Sequence, residues 1–162
     1  ALGQNFRCAT ILPVLRALHE SMKIRAANHF DAEGVAKASA VLGYDQPSSS
    51  DVAKQLAEIC SSTSANVWVC EMGSEIVGWV HAEKMSRLAS KPFVEILGIA
   101  VASEFQHKGV GSKLVQVVIN WATSIQMGVR VRTNENRTQA IKFYAKYGFK
   151  KVKNQQVFQW HM

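Results

Sequence analysis

The stretch from Phe93 to Ser112 limits what this 162-residue chain can fold into more than any other. Phe93-Val-Glu-Ile-Leu-Gly-Ile-Ala-Val-Ala102 is an apolar run of strand length, and it leads almost directly into Gln106-His-Lys-Gly109-Val-Gly111-Ser112. Val110, Leu114, Val117, Trp121 and Ile125 then recur at helical spacing, with Gly128 placed to close the helix. A strand that turns through two glycines into a helix leaves backbone N–H groups free, with no β-carbon in the way. Those amides, at the positive end of the helix dipole, suit a pyrophosphate. Lys108 and Lys113 add positive charge nearby. A plain glycine-rich helix start would show the same residues, so the loop alone decides nothing.

Two other phosphate motifs fail. A Walker loop needs a glycine where Gln106 stands and a Lys-Ser/Thr order that Ser112-Lys113 reverses; the dinucleotide fingerprint needs a third glycine at Leu114. There is no Gly-x-Ser-x-Gly elbow for acyl hydrolysis. Nineteen basic against twelve acidic residues leave a net charge of +7, which calls for an anionic partner, nucleic acid or a phosphate-bearing ligand. Cys8, Cys60 and Cys70 are odd in number and irregular in spacing, which suggests a reducing, cytoplasmic setting rather than a disulfide framework. The five histidines form no zinc pair, so no metal is expected. No apolar run approaches the ~20 residues of a membrane span.

The remaining elements follow from patterning. Residues 1–21 read as an N-terminal extension, non-native or upstream of a true start at Met22, with a genuine amphipathic helix as the alternative. A strand covers Lys23 to Ala27. Asp31 can cap a helix that ends at Gly43, and Ser50 a second from Asp51 to Cys60. Val67–Met72 and Glu75–Glu83 flank Gly73-Ser74 as a hairpin. After the long strand and helix come a short strand at Val129–Thr133 and a helix from Asn136 to Tyr147 closed by Gly148. Strands at Phe149–Val152 and Gln156–Trp160 complete the order. The expected class is α+β: a mixed, mostly antiparallel central sheet flanked by helices, with one parallel neighbour brought in by the strand–helix–strand passage. Residues 22–162 would form a single domain.

At this point the residues resemble a family. Gln106-x-x-Gly109-x-Gly111 after an apolar strand is similar to the acetyl-CoA signature of the GNAT superfamily of N-acetyltransferases. Ala140-Ile-Lys-Phe143-Tyr144-Ala-Lys-Tyr147-Gly148-Phe149 resembles its second signature. The resemblance spans roughly Lys23 to Trp160, and it implies the GNAT-like acyl-CoA N-acyltransferase fold with acetyl-CoA as cosubstrate. It also implies roles for particular residues. Ile99, Ala100 and Val101 would pair through their backbone with the pantetheine arm. Gln106, His107, Lys108, Gly109, Val110, Gly111 and Ser112 would surround the pyrophosphate. Many relatives carry Asn where this chain has Arg137; Asn136 and Arg137 are kept as cofactor contacts, although Asn136 could cap the helix instead. The Arg variant recurs in a branch that includes aminoglycoside acetyltransferases.

Acetyl transfer to an amine needs a base for the ammonium, a donor to the thioester oxygen and an acid for the leaving thiolate. Glu95 is an acid in an apolar strand, at a position where family members often place a catalytic glutamate, and half-burial would suit it to the base role. A solvent-facing edge residue or a structural ion pair is the plainer alternative. Tyr144 matches the family's general acid, with a structural aromatic as the alternative. An amide near Ile99 would serve the oxyanion.

The acceptor pocket is expected between Leu42–Ser50 and Lys84–Pro92. Trp79, His81 and Glu83 share one strand face by alternation. Trp79 and His81 are therefore candidate substrate contacts, and Asp45, Asp51 and Glu83 candidate acidic groups. The acceptor class is a small-molecule or peptide amine. The resemblance also implies a fold that often forms homodimers. Lys142, Lys146, Lys150, Lys151 and Lys153 near Phe143, Tyr144 and Phe149 could instead mark a nucleic-acid-binding module, but helical spacing reads them better as a solvated face. A non-catalytic acyl-CoA sensor is the other alternative, opposed by Glu95 and Tyr144.

Overall fold

The computed structural model describes residues 22–45 and 47–161. The N-terminal extension expected at 1–21 lies outside them. The described chain divides into two compact units, one ending at Val131 and the other starting at Arg132.

The first unit is built on a five-stranded sheet in the order β1-β2-β3-β4-β5. Its strands are β1 (Met22–Ala26), β2 (Ala65–Met72), β3 (Glu75–Arg87), β4 (Ser90–Val101) and β5 (Val129–Val131). Successive pairs are antiparallel up to β4, and β5 joins β4 in parallel. This is the mixed sheet that short connections followed by a helical crossover predict. Helix α1 (Ala32–Ser39) and helix α2 (Ser49–Ser61) precede β2, and helix α3 (Val110–Ser124) links β4 to β5.

Alternation along the strands makes two cores. Val80, Ala82, Val94 and Ile96 pack with Leu114, Val118 and Ala122 of α3. On the other face Val67 and Val69 meet Val35 of α1 and Val52 and Leu56 of α2, with Trp79 alongside. Side chains two apart on a strand share a face, so Trp79, His81 and Glu83 lie on the α1/α2 face, and so does Glu95 between the α3-facing Val94 and Ile96.

Several helix ends differ from expectation. Asp31 does not cap α1; its carboxylate takes two guanidinium hydrogen bonds from Arg25 (2.7 and 2.8 Å) and one from the Asn28 amide, and Asn28 caps the short 3-10 turn before the helix. Ser48, not Ser50, caps α2, where its hydroxyl accepts from the Asp51 amide. Helix α3 is closed by Gln126 in the left-handed region (φ 55°) rather than by Gly128, whose carbonyl instead accepts from the Val94 amide. At α2 a neighbouring hydroxyl takes the orphaned amide, and spacing alone does not rank such competitors.

The second unit contains helix α4 (Thr138–Lys146), closed by Gly148 at φ 80°. The strands expected at Phe149–Val152 and Gln156–Trp160 are absent; this stretch has no regular structure, and Val152, Val157, Phe158 and Trp160 are exposed. An alternating pattern makes a strand only when a neighbouring strand takes up its backbone groups.

Candidate functional site

Glu95 is the most deeply buried charged side chain described, at 1% exposure, rather than half-buried. It faces Glu83 across the β3–β4 ladder and Arg130 across the β4–β5 ladder. Arg87, near the end of β3, brings its guanidinium within 3.6 Å of the Glu95 Oε2. The Phe93 ring lies under two guanidinium groups, Arg130 at 3.9 Å and Arg87 at 5.2 Å from its centroid. The Arg87 guanidinium thus sits over an aromatic ring and near the carboxyl group at once, so strand and side chain are held together. Nothing in the sequence marks Arg87, because the pairing depends on β3 running further than its apolar pattern.

One residue beyond Ile96 the strand is irregular. His81 pairs with Gly98 and Ala82 with Ile96, so Leu97 is an extra residue on β4, a bulge that bends the strand and re-aims its neighbours. The parallel partner β5 pairs only with Val94–Ile96. From Leu97 to Val101, through Ile99 and Ala100, the outer edge of β4 has no ladder partner among the described residues. Gly98 has a packing reason: a β-carbon there would come within 2.8 Å of the Trp79 ring. A glycine inside an apolar strand is the sequence signal for such a bulge or close approach, and it was available.

Past β4 the chain enters the glycine turn. The Gln106 side-chain amide donates to the Val101 carbonyl at 3.1 Å, tying the turn to the strand end. His107 and Gly109 both have positive φ, 60° and 89°, and Gly109 precedes α3. No side chain caps the helix at Gly109. The first amides of α3, at Val110, Gly111 and Ser112, therefore point out of the helix start without a side-chain acceptor, which is the donor set an anionic group requires. Lys108 sits over the Phe105 ring at 5.1 Å.

A cavity of about 250 Å³ opens on the α1/α2 face, with Trp79 and His81 among its lining residues. The Trp79 indole N–H donates to the Ser39 hydroxyl at 2.9 Å, which fixes the ring. The Nε2 of His81 is buried and has no hydrogen-bond partner among the described residues. Burial pushes the His81 imidazole below its ordinary value, against a smaller opposing effect of Glu83, so the ring is neutral at neutral pH. Leu42, Tyr44, Asp45 and Pro47 line the cavity as expected, but no residue of Lys84–Pro92 does. That segment is a tight hairpin, because β3 runs to Arg87 and β4 starts at Ser90. Neither Asp51 nor Glu83 lines the cavity; Asp51 accepts from the Ser48 hydroxyl and Glu83 from that of Ser64.

In the second unit Tyr144 is buried, with edge-on contacts to Phe143 and Phe149 at 5.3 and 5.6 Å between ring centres. Burial pushes its hydroxyl up to about 12, a smaller effect of Arg137 opposing it, so the phenol keeps its proton at neutral pH. Helix α4 starts after Arg137, and it is Asn134, not Asn136, whose side chain accepts a backbone amide there, that of Asn136.

The acetyltransferase (GNAT) family model matches residues 36–149. The chain belongs to the GNAT acetyltransferase family. The family is one of acetyltransferases. Over 87 residues the chain is 33% identical to a probable N-acetyltransferase camello of Xenopus laevis; the match takes in 52% of this chain and 38% of that protein, well under half its length. Two solved structures share the fold. An aminoglycoside acetyltransferase, meta-AAC0020, from an uncultured soil metagenomic sample superposes with a TM-score of 0.73 at 21% identity, over 90% of this chain and 99% of that one. The aminoglycoside N-acetyltransferase AAC(6')-Iy, solved with CoA, gives 0.76 at 20% identity over 87% and 95%. No described helix is long and apolar enough to cross a membrane.

Proposed function

We propose that residues 22–162 work as one N-acetyltransferase domain, moving the acetyl group of acetyl-CoA directly to a primary amine of a small molecule or peptide. The observation that carries this reading is the outer edge of β4, which bulges at Leu97, lacks a ladder partner through Val101 and leads into the uncapped start of α3. Backbone groups of Ile99, Ala100 and Val101 would take the extended arm of the cosubstrate. The turn Gln106–Ser112 would hold its pyrophosphate on the amides of Lys108, Gly109, Val110, Gly111 and Ser112, with His107 shaping the loop. Asn136 and Arg137 are assigned as further phosphate contacts. Bound acetyl-CoA supplies the activated thioester carbonyl.

Glu95 accepts the proton that the acceptor's ammonium gives up before the free amine attacks, directly or through a water; Arg87 holds its carboxyl group in place. An amide near Ile99 donates to the carbonyl oxygen. Tyr144, still protonated at neutral pH, donates to the departing sulfur. One C–N bond forms and one C–S bond breaks; two protons leave the ammonium nitrogen, one to Glu95 before attack and one as the tetrahedral intermediate collapses, while one arrives at sulfur, for a net release of one proton. Cys70, the deeply buried thiol, is pushed up to about 11 by burial and is no thiolate at neutral pH, which supports direct transfer over a covalent acetyl-cysteine. Trp79 and His81 serve the acceptor. The cysteine pattern supports a reducing, cytoplasmic setting.

Calorimetric titration with acetyl-CoA tests the donor site. Wild type should bind, and Gly111→Trp should lose binding while its thermal unfolding stays cooperative. Absence of binding to wild type sinks the reading.

A further inference from the structure

The cavity on the α1/α2 face carries more information than a place for an acceptor. Its described lining is dominated by Val35, Leu42, Val52, Leu56, Val67 and Trp79, and Asp45 is the one carboxylate among the described lining residues. A polycation carries several ammonium groups and needs several buried or converging carboxylates to replace their water. One carboxylate cannot do that, whereas an apolar wall gains from every hydrocarbon group it covers. The volume of about 250 Å³ lies below the ~300–1,000 Å³ usual for drug-sized ligands, which favours a compact group.

The same lining gives the cavity a direction. The Trp79 ring is held by Ser39 and lies over Gly98, the residue before Ile99 on the open stretch of β4. His81 faces Gly98 across the ladder, and two residues further along β3 Glu83 faces Glu95. Glu95 and the cavity floor thus share one sheet face. The buried Nε2 of His81, without a partner among the described residues, is a polar point among the apolar side chains of the sheet side of the wall and can exchange a hydrogen bond with an amine or its neighbouring polar atom.

We infer that the acceptor is a monovalent primary amine borne on a compact apolar group, which enters between α1, α2 and the sheet with its nitrogen toward His81 and the Glu95 end of the face. This rests on the acetyltransferase reading above. An acceptor of this kind is dehydrated along its hydrocarbon part and meets its few polar partners only where acetyl transfer occurs. The division between apolar walls and a small polar end is the usual basis of orientation in small-molecule sites.

The experiment compares 2-phenylethylamine, spermidine and kanamycin as acceptors for the full chain with acetyl-CoA, read by thiol release. Acetyl-CoA binding is measured in parallel by calorimetry. The kcat/KM for 2-phenylethylamine should exceed that of either polycation by roughly tenfold or more, the range one or two buried methylenes can provide. Gln55 lines the cavity from an exposed position on α2, so Gln55→Trp fills space without touching the core. It should raise KM for 2-phenylethylamine about tenfold and leave acetyl-CoA affinity unchanged. Retained acetyl-CoA binding with equal or better use of a polycation, with no turnover of 2-phenylethylamine, or with a KM unmoved by Gln55→Trp overturns the apolar-amine inference alone. Loss of acetyl-CoA binding by wild type overturns the transferase reading and this inference with it.

Discussion

On the α3 face of the sheet, Val80, Ala82, Val94 and Ile96 meet Leu114, Val118 and Ala122 in a layer without a buried polar side chain. On the α1/α2 face, the intervening residues of the same strands are Trp79, His81, Glu83 and Glu95, and the helices leave a cavity over Trp79 and His81. The strands alternate between a face that can be packed to crystal-like density and a face that must keep polar groups and space. The first supplies stability that the second gives up: a buried carboxyl group, a buried imidazole nitrogen without a partner and an unfilled cavity all cost free energy. Concentrating the apolar layer behind the sheet lets the front carry those costs without losing the fold.

That division can be broken from either side. The largest effect should come from Glu95→Gln, which keeps shape but removes the base. Its kcat in a thiol-release assay should fall by about 10²–10⁴, with cooperative unfolding retained. A variant that keeps near-wild-type kcat removes Glu95 from the proton path. Leu114→Ala attacks the opposite face. It should lower stability by about 2–5 kcal/mol in urea unfolding, while acetyl-CoA affinity per folded molecule stays close to wild type. If affinity falls with stability, the two faces are not independent.

The smallest effect concerns the ion pair that ties β1 to the entry of α1. The Arg25 guanidinium holds the Asp31 carboxyl below its ordinary value of 3.8, against an opposing effect of burial. A depressed folded-state value means the pairing stabilises fully above the ordinary carboxyl range, and that contribution is lost as pH falls through the lower folded value. Asp31→Asn should therefore cost about 1–3 kcal/mol at neutral pH. The gap between variant and wild type should close as the pH drops below about 4. Urea midpoints of both proteins at pH 7 and pH 3 measure this; a gap that stays constant with pH assigns the effect to packing instead.

Much of the frame was legible in the chain. The hairpin around Gly73-Ser74, the helical spacing from Val110 to Trp121 and the glycine turn before it each depend on neighbours within a few residues, and all three are present. The acetyl-CoA and Gly-Phe signatures pointed to the family that the comparison found. Legibility failed where a residue's partner lies far off in sequence. Arg87 reaches Glu95 only because β3 pairs with β4 almost to its tip. The pocket loop expected at Lys84–Pro92 vanished into that same ladder. The final two strands showed the opposite failure: Val157 to Trp160 have the right residue types, but a strand is a property of a pair.

The sequence by itself determined the order of elements as far as α4, the pattern of apolar faces and the turn at Gly109, because periodicity and left-handed backbone are local properties. Only the tertiary structure decided that Leu97 bulges, that Glu95 is buried to 1% beside Arg87 and that the His81 Nε2 lies buried over a cavity without a hydrogen-bond partner among the described residues. Register, burial and hydrogen-bond satisfaction are set by which strand and which helix arrive opposite a residue, and no window along the chain contains that information.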